Sequence, residues 1–301
     1  MKPIPWLSYL CLAAAMAVVG AYVGFSKALV IVFPIFVLAW LRFAIAAVAM
    51  LPWLRRPADE PALDGRTRGL LFLESFFGNF LFSICMLFGI ARSTALAAGV
   101  IMAAIPAVVA LLSWVLLRER VHWRTGLGIA FAMAGIALVS MTRDDDGEFD
   151  RGSLVGNLLL FGAVTCEALY VVLGKRLSAR LGPKRISSLI NLWGLALVTP
   201  LALWQLPQFH AGYIGGSFWA LLVAYALLAS VATVWLWMTG LKRVPASSAG
   251  VFTVFLPISA AAVGVLFLGE QFRPIQLAAF ALALAGVVLA AWHRDASAVP
   301  G

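Results

Sequence analysis

Charged residues are scarce in this chain of 301 residues, and their scarcity excludes most water-soluble folds. Asp, Glu, Lys and Arg together make up 12% of the residues, whereas 63% are hydrophobic. Soluble globular domains carry about 25% charged residues, and a water-soluble fold of this length could not bury so much apolar surface. The mean hydropathy of +1.00 therefore indicates that lipid is the solvent of this chain.

Cysteine and histidine are also rare, with three residues of each type. Cys11, Cys85 and Cys166 lie within apolar runs and form no CxxC pair, so we interpret them as packing thiols. The sequence contains no HExxH motif, no His/Cys cluster and no GxSxG motif. We therefore expect no metal and no cofactor, and an intramembrane enzyme is an unfavoured alternative.

Ten apolar stretches run through the chain, separated by charged residues, Pro or Gly. A helix needs about 20 apolar residues to cross the hydrocarbon core of a bilayer. The stretches cover residues 6–26, 34–54, 68–91, 94–117, 122–141, 153–174, 186–205, 216–240, 245–268 and 274–292. The sequence therefore predicts an all-α membrane protein with ten transmembrane helices.

The basic residues are distributed unevenly between the two sides of these stretches. If the N-terminus is cytoplasmic, 16 of the 22 Lys and Arg residues fall in cytoplasmic segments and five in outer segments, while Arg42 lies within the second stretch. Because short cytoplasmic loops are enriched in Lys and Arg, both termini are predicted to be cytoplasmic. The net charge of +9 belongs to these loops, so we expect no nucleic-acid partner.

The two halves of the chain align with each other when the sequence is shifted by 151 residues. AGVIMAAIPAVVALLSWVLLRER at 98–120 then matches AGVFTVFLPISAAAVGVLFLGEQ at 249–271 without a gap, and Pro106 falls on Pro257. Matched alanines mean little in an Ala-rich chain, but Pro, Glu and Gly matched in one register indicate an internal duplication.

This duplication predicts two five-helix repeats, residues 1–145 and residues 150–295. Because five is an odd number, the second repeat would cross the membrane upside down relative to the first. Inverted repeats of this kind are a recurrent architecture of secondary transporters, since two copies of one shape can exchange conformations around a central site.

Together these features resemble the EamA-type branch of the drug/metabolite transporter superfamily. They are WLRF at 40–43, the Pro-to-Glu spacing in IPAVVALLSWVLLRER and LPISAAAVGVLFLGEQ, and CEALYVVLGKRL at 166–177. The resemblance covers nearly the whole chain and depends on the combination of motifs. It implies a ten-helix fold, export of amino acids or related metabolites, and coupling to an ion gradient or to exchange, but it does not identify a substrate.

Three charged residues within the predicted helices are candidates for substrate binding or coupling. Arg42 lies about 12 Å inside the second stretch, where a charge costs about 2.5–3.5 kcal/mol, so it either anchors a substrate carboxylate or has a structural partner. Glu167 lies near the middle of the sixth stretch, where it could bind a proton or an ammonium group, or could pair with Arg42. Glu74 either lines an inner vestibule or extends to the membrane interface.

Polar, aromatic and proline residues complete the candidate set. Asn79 and Asn191 lie deep in their helices and either bind a ligand or link neighbouring helices. Trp235 could stack on a substrate or bind an ammonium group, or it could face lipid. Pro106 and Pro257 are predicted to kink their helices at mid-length. The kinks would either free carbonyl groups to bind a polar substrate or only set the shape of the helices.

The sequence as a whole predicts a secondary transporter that exports an amino acid or related small metabolite by alternating access. The alternatives are a lipid or drug flippase or efflux carrier of the same superfamily, a passive pore and an intramembrane enzyme. The expected partners are a small-molecule substrate, the lipid bilayer, and a proton or an exchanged counter-substrate. We expect a monomer or homodimer in the inner membrane of the cell.

The charge distribution makes a prediction about topology. In a variant background without reactive native thiols, Asp145→Cys should react with a membrane-impermeant maleimide in whole cells, because that loop is predicted to lie outside. Ala179→Cys should react only after the membrane is permeabilised. The opposite labelling pattern would contradict the predicted orientation and the inverted-repeat argument with it.

Overall fold

Helices are the regular secondary structure of the protein in the computed structural model. The structure describes residues 6–57, 60, 62–117, 127, 130–131, 134, 138, 151–178, 180–243, 249, 252–253, 255–270 and 274–291. Within these ranges no β-strand is present. The all-helical class predicted from the apolar runs is therefore confirmed over the described part of the chain.

The described part of the chain contains the main helices in the following order. They are α1 (Trp6–Val32), α2 (Ile35–Ala49), α3 (Gly65–Ala91), α4 (Ala95–Met102), α5 (Ile105–Leu117), α6 (Arg151–Ser178), α7 (Pro183–Gln205), α8 (Gly216–Arg243), α9 (Phe255–Leu268) and α10 (Pro274–Ala291). Five of these helices, α1, α3, α6, α7 and α8, contain spans that are long and apolar enough to cross a membrane. Shorter apolar helices accompany them. Most of the predicted fifth span, 122–141, lies outside the described residues.

Both prolines that were predicted to lie at mid-helix instead lie in the first turn of a helix. A tightened turn at Ala103–Ala104 separates α4 from α5, and Pro106 is the second residue of α5. Pro257 is the third residue of α9. The mid-helix prediction was therefore wrong, and the reason is that the first turn contains amides without intrahelical acceptors, so a residue that lacks an N–H group is tolerated there.

A π-helical turn interrupts each of the two helices α3 and α8. The first covers Phe76–Leu81 and the second covers Leu227–Ala232. Their first residues are 151 positions apart, which is the shift that aligns the two halves of the sequence. Single π-helical turns inside α-helices occur frequently at functional sites.

A lysine side chain binds the C-terminal end of each of these two helices. Lys27 Nζ on α1 donates to Ile90 O at 2.9 Å and also to Ser93 O. Lys175 Nζ on α6 donates to Leu241 O at 2.9 Å. Ile90 and Leu241 are again 151 positions apart. Because the last carbonyls of a helix have no intrahelical donor, a cation placed there stabilises the helix end.

The N-terminal end of α3 has a side-chain cap. Asp64 Oδ1 accepts a hydrogen bond from Thr67 N at 2.7 Å, and this arrangement satisfies one of the free amides of the first turn. The hydroxyl and amide of Thr67 hold the pKa of the exposed Asp64 carboxyl below its usual range. The cap therefore contributes to stability at neutral pH and is lost as the pH falls through that lowered pKa.

Small residues allow α1 and α9 to approach each other closely. A Cβ atom on Gly20 would lie 2.1 Å from Leu256 O, and one on Gly24 would lie 2.6 Å from Val263 Cγ1. Ser259 Oγ on α9 donates to Ala17 O on α1 at 2.6 Å. Small residues and interhelical hydrogen bonds drive helix association in lipid, where no hydrophobic force acts between helices.

This close approach predicts that Gly20→Ala lowers the free energy of unfolding by about 1–3 kcal/mol, because a backbone carbonyl would have to move to admit the methyl group. Gly69→Ala on α3 is the matched control, since a Cβ there meets no atom within 4 Å. Unfolding in mixed micelles would measure both variants. Equal stability of the two variants would contradict the packing described for α1 and α9.

Candidate functional site

A narrow polar cavity lies between α1, α2, α3, α6 and α8. Its volume is about 30 Å³, which is room for one or two water molecules. The residues that line it are Met16, Val19, Tyr22, Arg42, Gly78, Asn79, Phe82, Glu167, Tyr170, Ala229, Thr233, Val234 and Trp237. Two of the three intramembrane charges singled out from the sequence, those of Arg42 and Glu167, therefore face one space.

The lining residues occupy matching positions in the two halves of the chain. Both π-helical turns contribute to the wall, and so do α1 and α6 at positions in the same register. Four pairs of lining residues are 151 positions apart: Met16 with Glu167, Val19 with Tyr170, Gly78 with Ala229, and Phe82 with Thr233. The cavity is thus built from equivalent positions whose chemistry differs, since the counterpart of Glu167 is a methionine.

Arg42 is held in place by neutral groups. Its side chain is only 3% exposed, and Nη2 donates to Ser83 Oγ at 2.6 Å. The guanidinium carbon lies 4.3 Å from the ring centroid of Phe43 and 5.8 Å from that of Tyr225. No described carboxylate lies within 4.0 Å of the guanidinium nitrogens. The charge is thus positioned by a hydroxyl and by aromatic faces rather than neutralised by an acid.

Glu167 is on α6, and its side chain is 8% exposed. In the part of the chain that the structure describes, its carboxylate forms no hydrogen bond and no ion pair. Sequence reasoning left open a permanent pair between Glu167 and Arg42, and this conformation contains no such contact. Tyr170, one helical turn further along α6, lines the same wall.

Glu74 is fully buried and lies outside the cavity lining. Neither of its carboxylate oxygens has a hydrogen-bond partner among the described residues. A Cβ atom on Gly174 of α6 would lie 2.7 Å from Glu74 Oε1, so the glycine makes room for the carboxyl group. The alternative that Glu74 extends to the membrane interface is therefore wrong in this structure, because the side chain points into helix packing.

The two asparagines link α7 to its neighbours. Asn79 Nδ2 on α3 donates to Ile190 O at 2.9 Å, and Asn191 Nδ2 on α7 donates to Phe43 O at 3.0 Å. Asn79 also lines the cavity, whereas Asn191 does not. Asn191 thus fixes the backbone directly after Arg42, which is the helix-linking role, and Asn79 combines that role with a place in the cavity wall.

Trp235 does not line the cavity, whereas Trp237 does. Trp235 is 6.3 Å from Trp53, measured between ring centroids, and lines a different pocket. Two residues correspond to a rotation of about 200° on an α-helix, so Trp237 points to the opposite side of α8 and into the cavity. Pro106 and Pro257 do not line the cavity either.

Sequence reasoning found the uncharged Asn79 but missed other uncharged residues of the site. Tyr22, Tyr170 and Thr233 line the cavity, but as aromatic or hydroxyl residues in apolar helices they are not conspicuous. One signal was available for Tyr170, because residues i and i+3 share a helix face. That relation places Tyr170 beside Glu167.

The arrangement can bind opposite charges at the same time. A guanidinium group from α2 and a carboxylate from α6 share a space that tyrosine, tryptophan and asparagine side chains line. Over the described residues, no group of three or more His, Cys, Asp or Glu side chains could hold a metal ion. The lining side chains can therefore form hydrogen bonds and ionic contacts with a small polar molecule.

Comparison with known proteins matches this chain to a transporter family. The model of the EamA-like transporter family matches residues 6–141 and again residues 154–292. YetK of Bacillus subtilis (strain 168), described as an uncharacterized transporter, is 34% identical over 281 residues, which is 93% of this chain and 85% of YetK. The threonine/homoserine exporter RhtA of Escherichia coli (strain K12) is 29% identical, covering 95% of this chain and 90% of RhtA.

The fold also has a counterpart among solved structures. A protein of known crystal structure superposes with a TM-score of 0.67, covering 95% of this chain and 96% of that protein. Because the two chains share 18% sequence identity, this likeness concerns the fold alone. The two family matches cover most of both halves, so the chain belongs to the EamA-like transporter family and hence to the drug/metabolite transporter superfamily.

Proposed function

We propose that this protein is a secondary transporter that exports an amino acid or a closely related zwitterionic metabolite by alternating access. The observation that carries the proposal is that Arg42 and Glu167 line one cavity without an ion pair between them. The substrate carboxylate would bind to Arg42 and its ammonium group to Glu167.

An unpaired buried charge is costly, which is why this observation points to a zwitterion. Each of the two side chains is more than nine-tenths buried, and isolated charges lose much of their hydration in such a place. A ligand that brings one charge of each sign neutralises both groups at once. A ligand with a single charge would neutralise one of them and leave the other unpaired.

The relatives support the same class of substrate. The name of RhtA assigns threonine and homoserine export to that protein, and both compounds combine an ammonium group with a carboxylate. YetK and other similar proteins have no substrate in their names. The substrate proposal for this chain therefore depends mainly on its own cavity.

The proposed mechanism uses two inverted five-helix repeats within a ten-helix fold. Three features share the 151-residue register: the π-helical turns, the carbonyl groups that lysines bind at the ends of α3 and α8, and the paired positions of the cavity wall. With both termini in the cytoplasm of an inner-membrane protein, equivalent helices would take turns in opening the site to each side.

A conformational change is required because the cavity of about 30 Å³ is too small for a metabolite in this conformation. The π-helical turns of α3 and α8 lie in its wall, and a local change in helical register there would widen it. Glu167 would bind either a proton or the substrate ammonium group. Competition between the two would couple transport to a proton gradient.

Ligand-induced stabilisation of the purified protein tests this proposal, because a ligand that binds the folded state raises its thermal stability. Threonine and homoserine should raise the unfolding temperature. Analogues that lack either the amino or the carboxyl group should not. Arg42→Gln and Glu167→Gln should each weaken binding at least about 30-fold, since a charge would lose its partner.

Glu74→Gln is the matched control for Glu167→Gln, because it also removes an intramembrane carboxylate but lies outside the cavity lining. It should leave the ligand-induced shift unchanged. Stabilisation by analogues with one charge to the same extent as by zwitterions would contradict the proposal. So would zwitterion binding that persists in both cavity variants.

A further inference from the structure

A second pocket, away from the central cavity, lies where α2 ends and α7 begins. Its volume is about 560 Å³, and the turn Leu51–Leu54, the first residues of α7 and one side chain of α8 contribute to it. Six of its lining residues are charged or aromatic: Trp53, Arg55, Glu60, Lys184, Arg185 and Trp235. Trp235, which does not line the central cavity, therefore lines this pocket.

The Glu60 carboxylate in the lining of the pocket already forms an ion pair with another residue of the protein. Arg185 Nε lies 2.8 Å from Glu60 Oε1, and these side chains are 12% and 6% exposed. Arg185 Nη1 also donates to Leu54 O, and Arg56 donates to Glu60 O through Nε and Nη2 at 2.9 and 2.8 Å. The ion pair therefore builds the wall of the pocket, and the charge of Glu60 is not available to other cations.

Two basic side chains of the lining remain for a ligand. Arg55 and Lys184 are exposed, and neither forms an ion pair with a described carboxylate. Among the described residues, three basic and one acidic side chain line the pocket, so an anion is the complementary ligand. Basic pockets between transmembrane helices recognise phosphate headgroups of lipids.

The tryptophans suit the membrane–water interface. Trp53 and Trp235 lie with their ring centroids 6.3 Å apart and their planes at 47°. Lys184 Nζ lies 5.8 Å from the ring centroid of Trp53. Amphipathic indole rings and basic side chains concentrate at the level of the lipid headgroups.

The surroundings of the pocket favour a lipid over a soluble anion. Val48 near the end of α2 and Leu51 directly before the lining residue Pro52 are exposed apolar side chains. An acyl chain that leaves the pocket could extend along these two side chains without burying a polar group. A free phosphate ester would gain nothing from this apolar continuation.

We propose that the pocket binds an anionic phospholipid. Arg55 and Lys184 contact the phosphodiester, Trp53 and Trp235 border the glycerol region, and an acyl chain extends over the apolar surface at the end of α2. This site is separate from the central cavity and uses none of its residues.

Lipid-induced stabilisation of the purified full chain in detergent tests the site. Short-chain phosphatidylglycerol should raise the unfolding temperature more than phosphatidylcholine with the same acyl chains. The double variant Arg55→Gln/Lys184→Gln should bind phosphatidylglycerol about 30-fold more weakly, because each cation near a membrane surface contributes about 1 kcal/mol. Lys242→Gln/Arg243→Gln is the charge-matched control, since these exposed residues at the end of α8 do not line the pocket.

The proposal is supported if only the pocket variant loses the preference for phosphatidylglycerol. Three results would overturn it: equal stabilisation by both lipids, equal loss in both double variants, or a shift of the same size with inorganic phosphate alone. The last result would assign the pocket to a soluble anion. Since Arg42 and Glu167 are unchanged throughout, failure here leaves the amino-acid proposal untouched, and failure of that proposal does not alter this test.

Discussion

The burial of an arginine and a glutamate in an apolar helical protein is the constraint on which the rest of the site depends. Neither charge can face hydrocarbon without a large desolvation cost, so both must face the protein interior. Arg42 meets this requirement through Ser83 and two aromatic rings. Glu167 meets it by facing the cavity. A space with polar walls between the helices follows from these two placements, and it is the space that a substrate would enter.

The other interhelical contacts hold the helices around that cavity in fixed relative positions. Asn191 on α7 donates to the backbone of α2 beside Arg42, and Asn79 on α3 donates to the backbone of α7. Lys27 and Lys175 hold the ends of α3 and α8, whose π-helical turns form part of the wall. These contacts connect helices through backbone carbonyls, and such contacts are effective in lipid because little water is present to compete for them.

The two charges of the cavity were predictable from the sequence because a charged residue within an apolar run is conspicuous. Glu74 was equally conspicuous, yet its burial against Gly174 depends on how α3 and α6 pack, which no single stretch encodes. The fold class followed from run length and charge. The position of Pro106 in a first turn did not, since an apolar run of 24 residues contains no sign of the turn at Ala103–Ala104.

Other parts of the site depend on helix rotation, which composition does not reveal. Trp235 and Trp237 are almost adjacent in sequence, but they serve a peripheral pocket and the central cavity respectively. The pocket between Trp53 and Lys184 joins residues that are more than 120 positions apart, so only the folded chain brings them together. By contrast, the 151-residue register was visible in the sequence and reappears in the cavity wall.

The central claim is that Arg42 and Glu167 face one cavity as separate charges. A double-mutant cycle on the free energy of unfolding, without ligand, tests it most directly. We expect Arg42→Gln and Glu167→Gln to show a coupling energy of about 0.5–2 kcal/mol, because the two groups share a cavity without an ion pair between them. A double variant that recovers stability, with a coupling energy of about 3–5 kcal/mol, would show a permanent buried ion pair and contradict the account.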